Sequence, residues 1–226
     1  MVTPAGSAYL VRPPAGSPAG VLVLHSWWGL TPFMRSVCDR LSDLGYVALA
    51  PDLLDGARPT TPDEAQAVLQ GADINNTAGL VLSSARSLRA LTTDDRAPIA
   101  VVGFSMGASW AYWLATRSAQ EVAAVVGFYG MQSGDLSAAQ AVVQAHFAEF
   151  DEFASAEQII DFEMRLLAGG RDAELWHYEG TSHWFFEEDR APAYDPDAAA
   201  LAWERVVAFL RTHHPTVGRT PAPGGV

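Results

Sequence analysis

Short, unbroken apolar runs alternate along this chain with longer stretches whose apolar residues recur every three to four positions. The run Gly20–His25 (GVLVLH) has no polar face, the signature of a strand buried on both sides. Pro32–Leu44 follows, with Phe33, Val37, Leu41 and Leu44 near one helical face and Gly45 as the C-cap. Tyr46–Ala50 reads as a second strand, stopped by Pro51, and residues 62–70 and 76–91 read as helices. Pro98–Val102 is a third apolar strand and leads into a helix over Met106–Arg117. Val122–Tyr129 and Ala141–Phe147 are the fourth and fifth strands. Ser155–Ala168 is a helix ended by Gly169-Gly170, Ala173–Tyr178 is the last strand and Asp197–His213 the last helix. Ser7–Val11 fits an extra edge strand at the start.

Strand and helix in alternation, joined by short connections, predict an α/β fold: a mostly parallel sheet with helices on both faces. One domain is expected over residues 1–214. Residues 215–226, rich in Pro and Gly, read as a flexible tail. In such a sheet the ligand site lies at the carboxyl ends of the strands. That rule directs attention to the residues just after His25, Pro51, Gly103, Tyr129, Phe147 and Tyr178.

Charge narrows the range of partners. The formal net charge is −12, and all 14 basic residues are arginines. A surface this acidic repels phosphate backbones and anionic lipid, so neither nucleic acid nor membrane is an expected partner. No apolar stretch is long enough for a transmembrane helix, and the N-terminus lacks the basic start and apolar run of a signal peptide. The expected location is the cytoplasm. The lone Cys38, one position after Val37 on an amphipathic helix, reads as a core thiol. No metal-ligand spacing and no nucleotide-binding glycine pattern occurs, so neither metal nor cofactor is expected.

The chemistry concentrates at Gly103-Phe104-Ser105-Met106-Gly107, a G-x-S-x-G placed between an apolar strand and a helix. A serine at the tip of such a turn is held out from the sheet in a strained conformation. The Met106 amide then lies at a helix N-terminus, aimed at a forming oxyanion. Serine needs a base and the base needs an orienting carboxylate, expected later in the chain after further strands. His183 is the base candidate, in a loop of small residues beyond the last strand. His25, His146, His177, His213 and His214 fall within strands or at a helix end and read as structural or solvated. After the fifth strand Glu149, Asp151 and Glu152 compete for the acid, and Asp151, a few residues past the strand end, is preferred. The Trp27 amide, in the His25–Gly29 segment after the first main strand, is the expected second oxyanion donor.

These segments together resemble the dienelactone hydrolase family of α/β-hydrolases. The resemblance runs from about Gly20 to Leu210 and rests on HSWWGLTPFMRSVCDRLSDLGYVALAPDLLDG, VVGFSMG, HFAEFDEF and YEGTSHWFFEE. It implies an α/β-hydrolase fold in a single domain without a large lid, no metal, and hydrolysis of an ester or lactone. It also supports Asp151 and His183 as acid and base and Trp27 as oxyanion donor. Three positions depart from the family pattern. Members acting on dienelactone carry a cysteine where Ser105 stands, a glutamate where Ser26 stands, and an arginine where Glu187 stands. With Glu188 and Asp189, Glu187 is expected to place three negative charges near the mouth and to disfavour an anionic substrate.

Ser26, Trp28, Trp184 and Phe185 are candidates for the pocket wall, which would then favour an apolar acyl, aryl or lactone group. Arg58 is expected to be solvated. The expected substrate is a small ester or lactone, and the chain is expected to act as a monomer or homodimer. A thioesterase or lipase-like acyl hydrolase, and a non-catalytic binding module on the same fold, are the alternatives.

Overall fold

The computed structural model describes residues 2, 3, 6–168, 170 and 172–216; apart from Pro215 and Thr216, the expected tail lies outside the described residues. Among the described residues eight strands form one sheet: β1 Val2–Thr3, β2 Gly6–Val11, β3 Gly20–Leu24, β4 Val47–Pro51, β5 Ile99–Phe104, β6 Val122–Phe128, β7 Val142–Phe150 and β8 Ala173–Ser182. Six helices accompany them: α1 Pro32–Asp43, α2 Pro62–Gly71, α3 Ile74–Leu91, α4 Met106–Arg117, α5 Ala156–Ala168 and α6 Pro196–His213. The spatial order is β1-β2-β4-β3-β5-β6-β7-β8. β3 to β8 run parallel, while β2 lies antiparallel against β4 and carries the short β1 at the edge. This is the mostly parallel α/β arrangement read from the sequence.

Period-two alternation divides the apolar strands between two cores. Val21, Val23, Ala48, Val102 and Phe104 face α1 and α6, whereas Leu22, Leu24, Leu49, Val101 and Val125 face α3, α4 and α5. Both sets are almost fully buried, which is why these strands lack polar positions. Thr31, Thr61, Asp73 and Asp195 cap α1, α2, α3 and α6 by accepting first-turn amides, and Pro opens three of those helices. Cys38 is fully buried in α1, and burial pushes its thiol well above the usual range.

The chain runs from β3 to β4 on one side, then crosses through α2 and α3 to β5 on the other. Strand order therefore reverses between β3 and β5, and a crevice opens at their carboxyl ends. Two strands outrun their predicted ends by three residues or more. β7 continues through Ala148, Glu149 and Phe150, and β8 continues through Glu179–Ser182, with a register irregularity between Ala148 and Phe150 and with Phe150 paired to Ser182. Polar residues and Gly180 hide this extension in the sequence, because what extends the strands is their pairing with each other. Asp151 and His183 consequently follow directly on strand ends.

Two fully buried histidines are held in their neutral forms. His25 Nε2 accepts from the Leu53 amide at 2.9 Å, which leaves Nδ1–H to donate to the Ser26 carbonyl at 2.6 Å. His146 bridges the Tyr178 hydroxyl and Gln144 Oε1 at 2.7 and 3.0 Å and stacks on Phe128. Desolvation lowers their pKa values to about 4 and about 3. In the unfolded chain both take protons near pH 6.5, so below that pH the unfolded state binds more protons and stability is lost as pH falls. The decline in unfolding free energy from pH 7 to pH 4, measured in urea, should be shallower in His146→Gln than in wild type. An equal slope in the two would contradict the neutral assignment.

Candidate active site

The turn at Ser105 is shaped by two close approaches. A Cβ on Gly107 would collide with the Leu24 carbonyl of β3, and one on Gly103 would collide with the Gly107 carbonyl. Only glycine lets the N-terminus of α4 press this closely on β3 and β5. Ser105 absorbs the sharp reversal with φ 52° and ψ −115°. Its amide donates to Phe128 O at 2.9 Å, and its carbonyl accepts from Ala108 and Ser109. Four described non-glycine residues have positive φ, and three of them are Ser105 itself and Tyr129 and Trp184, whose rings pack against His183.

Ser105, His183 and Asp151 form one hydrogen-bonded chain. Ser105 Oγ lies 2.9 Å from His183 Nε2, and His183 Nδ1 lies 2.7 Å from Asp151 Oδ2. An ionised carboxylate only accepts, so Nδ1 carries the proton and Nε2 is left to accept the serine proton. The His183 and Asp151 side chains are only 4% and 2% exposed. Water screens this pair little, so an imidazolium formed here keeps most of its attraction to the carboxylate. Of the three competing acids only Asp151 bonds His183: Glu149 accepts from the Gly180 amide at 2.6 Å, and Glu152 is exposed. The rings of Tyr129, Phe153 and Trp184 stand 4.9, 4.7 and 4.8 Å from the imidazole and fix its plane.

Met106 is the first residue of α4, so the helix itself provides no acceptor for its amide. Beyond β3, the Gly29 amide donates to Ser26 O at 3.2 Å, closing a turn over Ser26–Gly29 with Gly29 at φ 85°. Ser26 O and the Trp27 N–H belong to one planar peptide and point in opposite directions. The carbonyl faces into the turn and toward His25, so the Trp27 amide faces away from it. Trp27 itself stacks on Trp184 at 5.8 Å and meets Phe153 edge-on at 5.2 Å.

The pocket wall differs from expectation. Trp184 lines a cleft of about 710 Å³ together with His183, Asp151, Glu149, Phe150 and Glu152. Ser26, Trp28 and Phe185 are 0%, 4% and 0% exposed and face the interior instead. Phe185 packs on Tyr129 and Tyr178 because its position in the turn after His183 points it under the sheet end. Trp28 is covered by the Arg190 guanidinium at 4.6 Å. Phe153, 47% exposed and touching His183, Trp27 and Trp184, supplies an aromatic wall that the sequence reading missed. Only its spacing from the acidic cluster hinted at this. A second groove of about 470 Å³, with Met106, Trp110, Trp113 and Ile74 in its walls, adjoins the other side of the nucleophile turn.

Two charged residues also depart from expectation. Arg58 is not free in solvent but grips the buried Asp52 at 2.8 Å, which pins the loop after β4. Glu187 is not at the mouth. It is fully buried and hydrogen-bonded to Ser26 Oγ at 2.8 Å and to the Tyr129 hydroxyl at 2.9 Å, and burial pushes its pKa up to about 8. The two aromatics before it, Phe185 and Phe186, are buried with it, and this anchors the segment inside. Glu188 and Asp189 remain exposed, Asp189 being paired with Arg190. Among the described residues no cluster of His, Cys, Asp and Glu could hold a metal ion. None of the described helices is long and apolar enough to cross a membrane.

Known proteins share both the sequence and the architecture. The description "Dienelactone hydrolase family" matches residues 7–214. A protein named usf from Aquifex pyrophilus is 31% identical over 214 residues, covering 91% of this chain and 92% of that protein. A carboxymethylenebutenolidase from Rhodococcus opacus is 26% identical over 213 residues, covering 88% and 82%. A crystal structure of a dienelactone hydrolase-like promiscuous phosphotriesterase from metagenomic libraries superposes with a TM-score of 0.81 at 22% identity, covering 91% and 92%. A dienelactone hydrolase from Anabaena variabilis superposes with a TM-score of 0.66 at 21% identity, covering 91% of each chain. The chain belongs to the dienelactone hydrolase family.

Proposed function

We propose that the protein hydrolyses a carboxylic ester or lactone through an acyl-enzyme on Ser105, with His183 as base and Asp151 as its orienting acid. The observation that carries this reading is the hydrogen-bonded chain Ser105–His183–Asp151, with links of 2.9 and 2.7 Å between groups far apart in sequence. His183 takes the Ser105 proton as Oγ attacks the carbonyl carbon, and the Asp151 carboxylate stabilises the imidazolium. The Met106 and Trp27 amides receive the oxyanion. As the tetrahedral intermediate collapses, the bond to the alcohol oxygen breaks and His183 gives that oxygen its proton. A water, deprotonated by His183, then attacks the acyl carbon, and Ser105 leaves with the proton returned to it.

The substrate is an uncharged ester or lactone with an apolar group. Glu149 and Glu152 stand in the cleft beside Trp184 and Phe150, so a second negative charge on the substrate meets repulsion and an apolar group meets aromatic surface.

Ser105→Ala should lower kcat/KM on p-nitrophenyl esters by about 10³-fold or more with the thermal midpoint kept. Wild-type turnover in that variant would refute the assignment. Asp151→Asn keeps the shape but reverses the hydrogen-bonding demand on Nδ1. It should cost at least about 10³-fold in kcat, read from steady-state rates. On a panel of matched esters, kcat/KM for neutral substrates should exceed that for carboxylate-bearing ones by about tenfold or more.

A further inference from the structure

We infer that Glu187 is a positioning residue for the reaction: its buried carboxyl ties the peptide bearing the Trp27 amide to the aromatic support of His183. This rests on the acyl-enzyme reading above and adds to it a group that does not touch the reacting atoms.

Three strand ends meet at this carboxyl. Ser26 belongs to the turn after β3, Tyr129 directly follows β6, and Glu187 lies four residues past His183 in the segment after β8. One carboxyl oxygen is hydrogen-bonded to Ser26 Oγ at 2.8 Å and the other to Tyr129 OH at 2.9 Å. Ser26 is thereby held at two points, its side chain by Glu187 and its carbonyl by His25 Nδ1–H at 2.6 Å. The Ser26 carbonyl and the Trp27 N–H share one rigid plane, so fixing Ser26 fixes the direction of the Trp27 amide. At the other end, Tyr129 packs 4.9 Å from the His183 ring and stands at φ 37°, a conformation that persists only where surroundings enforce it.

A wholly structural carboxyl would be a costly choice at this position. A fully buried acid loses its hydration and needs partners for both oxygens, which an apolar side chain of similar size would not. Here both partners are groups that border the proposed oxyanion site or the base, which gives the burial a purpose beyond packing. Desolvation keeps Glu187 protonated near neutral pH. A neutral acid carries one O–H, so one of the two hydrogen bonds runs from the carboxyl to its hydroxyl partner and the other is accepted by the bare oxygen; glutamine, with one NH2 and one oxygen, keeps that pattern.

The test compares Glu187→Ala, Glu187→Gln and Ser26→Ala on a neutral p-nitrophenyl ester, with fluorophosphonate labelling of Ser105 run to completion in each. Glu187→Ala and Ser26→Ala should each lower kcat by about tenfold or more while KM changes less than about threefold, because an oxyanion donor acts in the transition state. Glu187→Gln should keep kcat within about threefold of wild type. The double variant Ser26→Ala/Glu187→Ala should be no slower than the worse single variant, since both remove one link. Unchanged kcat in Glu187→Ala, a rise in KM alone, or a Glu187→Gln as slow as Glu187→Ala would overturn the inference. If Glu187→Ala does not fold, Ser26→Ala decides, because it removes the same link by deleting one buried oxygen. Full labelling alongside unchanged kcat defeats only the role of Glu187. Absence of labelling in wild type defeats the acyl-enzyme reading itself.

Discussion

The close approach of the α4 N-terminus to the last carbonyl of β3 is the constraint on which the rest depends. Gly103 and Gly107 permit it, and Ser105 pays for it with a backbone conformation that nothing but dense surroundings could maintain. The reward of that strain is directional. A relaxed turn would swing the hydroxyl away from the line that joins it to His183 Nε2, and it would tilt the first amides of α4 off the space in front of Oγ. Because β3 and β5 are hydrogen-bonded neighbours, the same approach brings the Ser26–Gly29 turn alongside the Ser105 turn. One steric fact thus sets the Ser105 turn, the N-terminus of α4 and the Ser26–Gly29 turn side by side.

Around this turn, His25 and His183 each sit between one hydrogen-bond donor and one acceptor. His25 accepts from one backbone amide and donates to one carbonyl, and His183 donates to a carboxylate and accepts from a hydroxyl. The chain alternates donor and acceptor without conflict, which is what a low-dielectric interior requires of a network. Opposite pKa shifts follow from one cause. Desolvation favours the uncharged form, so His25 and His146 are driven down and Glu187 up. A chain carrying a net charge of −12 can accordingly keep a carboxyl beside its proposed oxyanion site without opposing the oxyanion's charge.

The scaffold was legible because its signals are local. Apolar runs such as Val21–Leu24 and Val101–Val102 announce doubly buried strands, and G-x-S-x-G between strand and helix announces the turn. What escaped depends on pairing across the chain. β7 and β8 reach Phe150 and Ser182 through residues of poor strand propensity because each strand supplies the other's partners. The family resemblance and the strand-end rule still led to Asp151 and His183, since an error of a few residues at a strand end leaves the element order intact. Glu187 and Arg58 escaped for another reason. Charged residues in loops usually face water, and only tertiary contact shows that Glu187 turns inward and that Arg58 closes on Asp52.

The two misread charges have one physical meaning. Each of the loops beyond β4 and β8 is held by a polar anchor placed beneath it, Asp52 under the first and Glu187 under the second, and Asp52 also accepts from the amides of Leu54 and Gly56. Loops that carry functional groups need freedom to reach the ligand, yet those groups must not wander by even an ångström. Apolar packing alone fixes a loop in depth but lets it slide along the surface. A hydrogen-bonded acid fixes it in direction as well, because misalignment leaves a buried oxygen without a partner. Rigidity at this rim therefore comes from a few directional bonds set below an aromatic layer. That layer of Trp27, Phe153 and Trp184 stays at the surface, where a substrate can meet it.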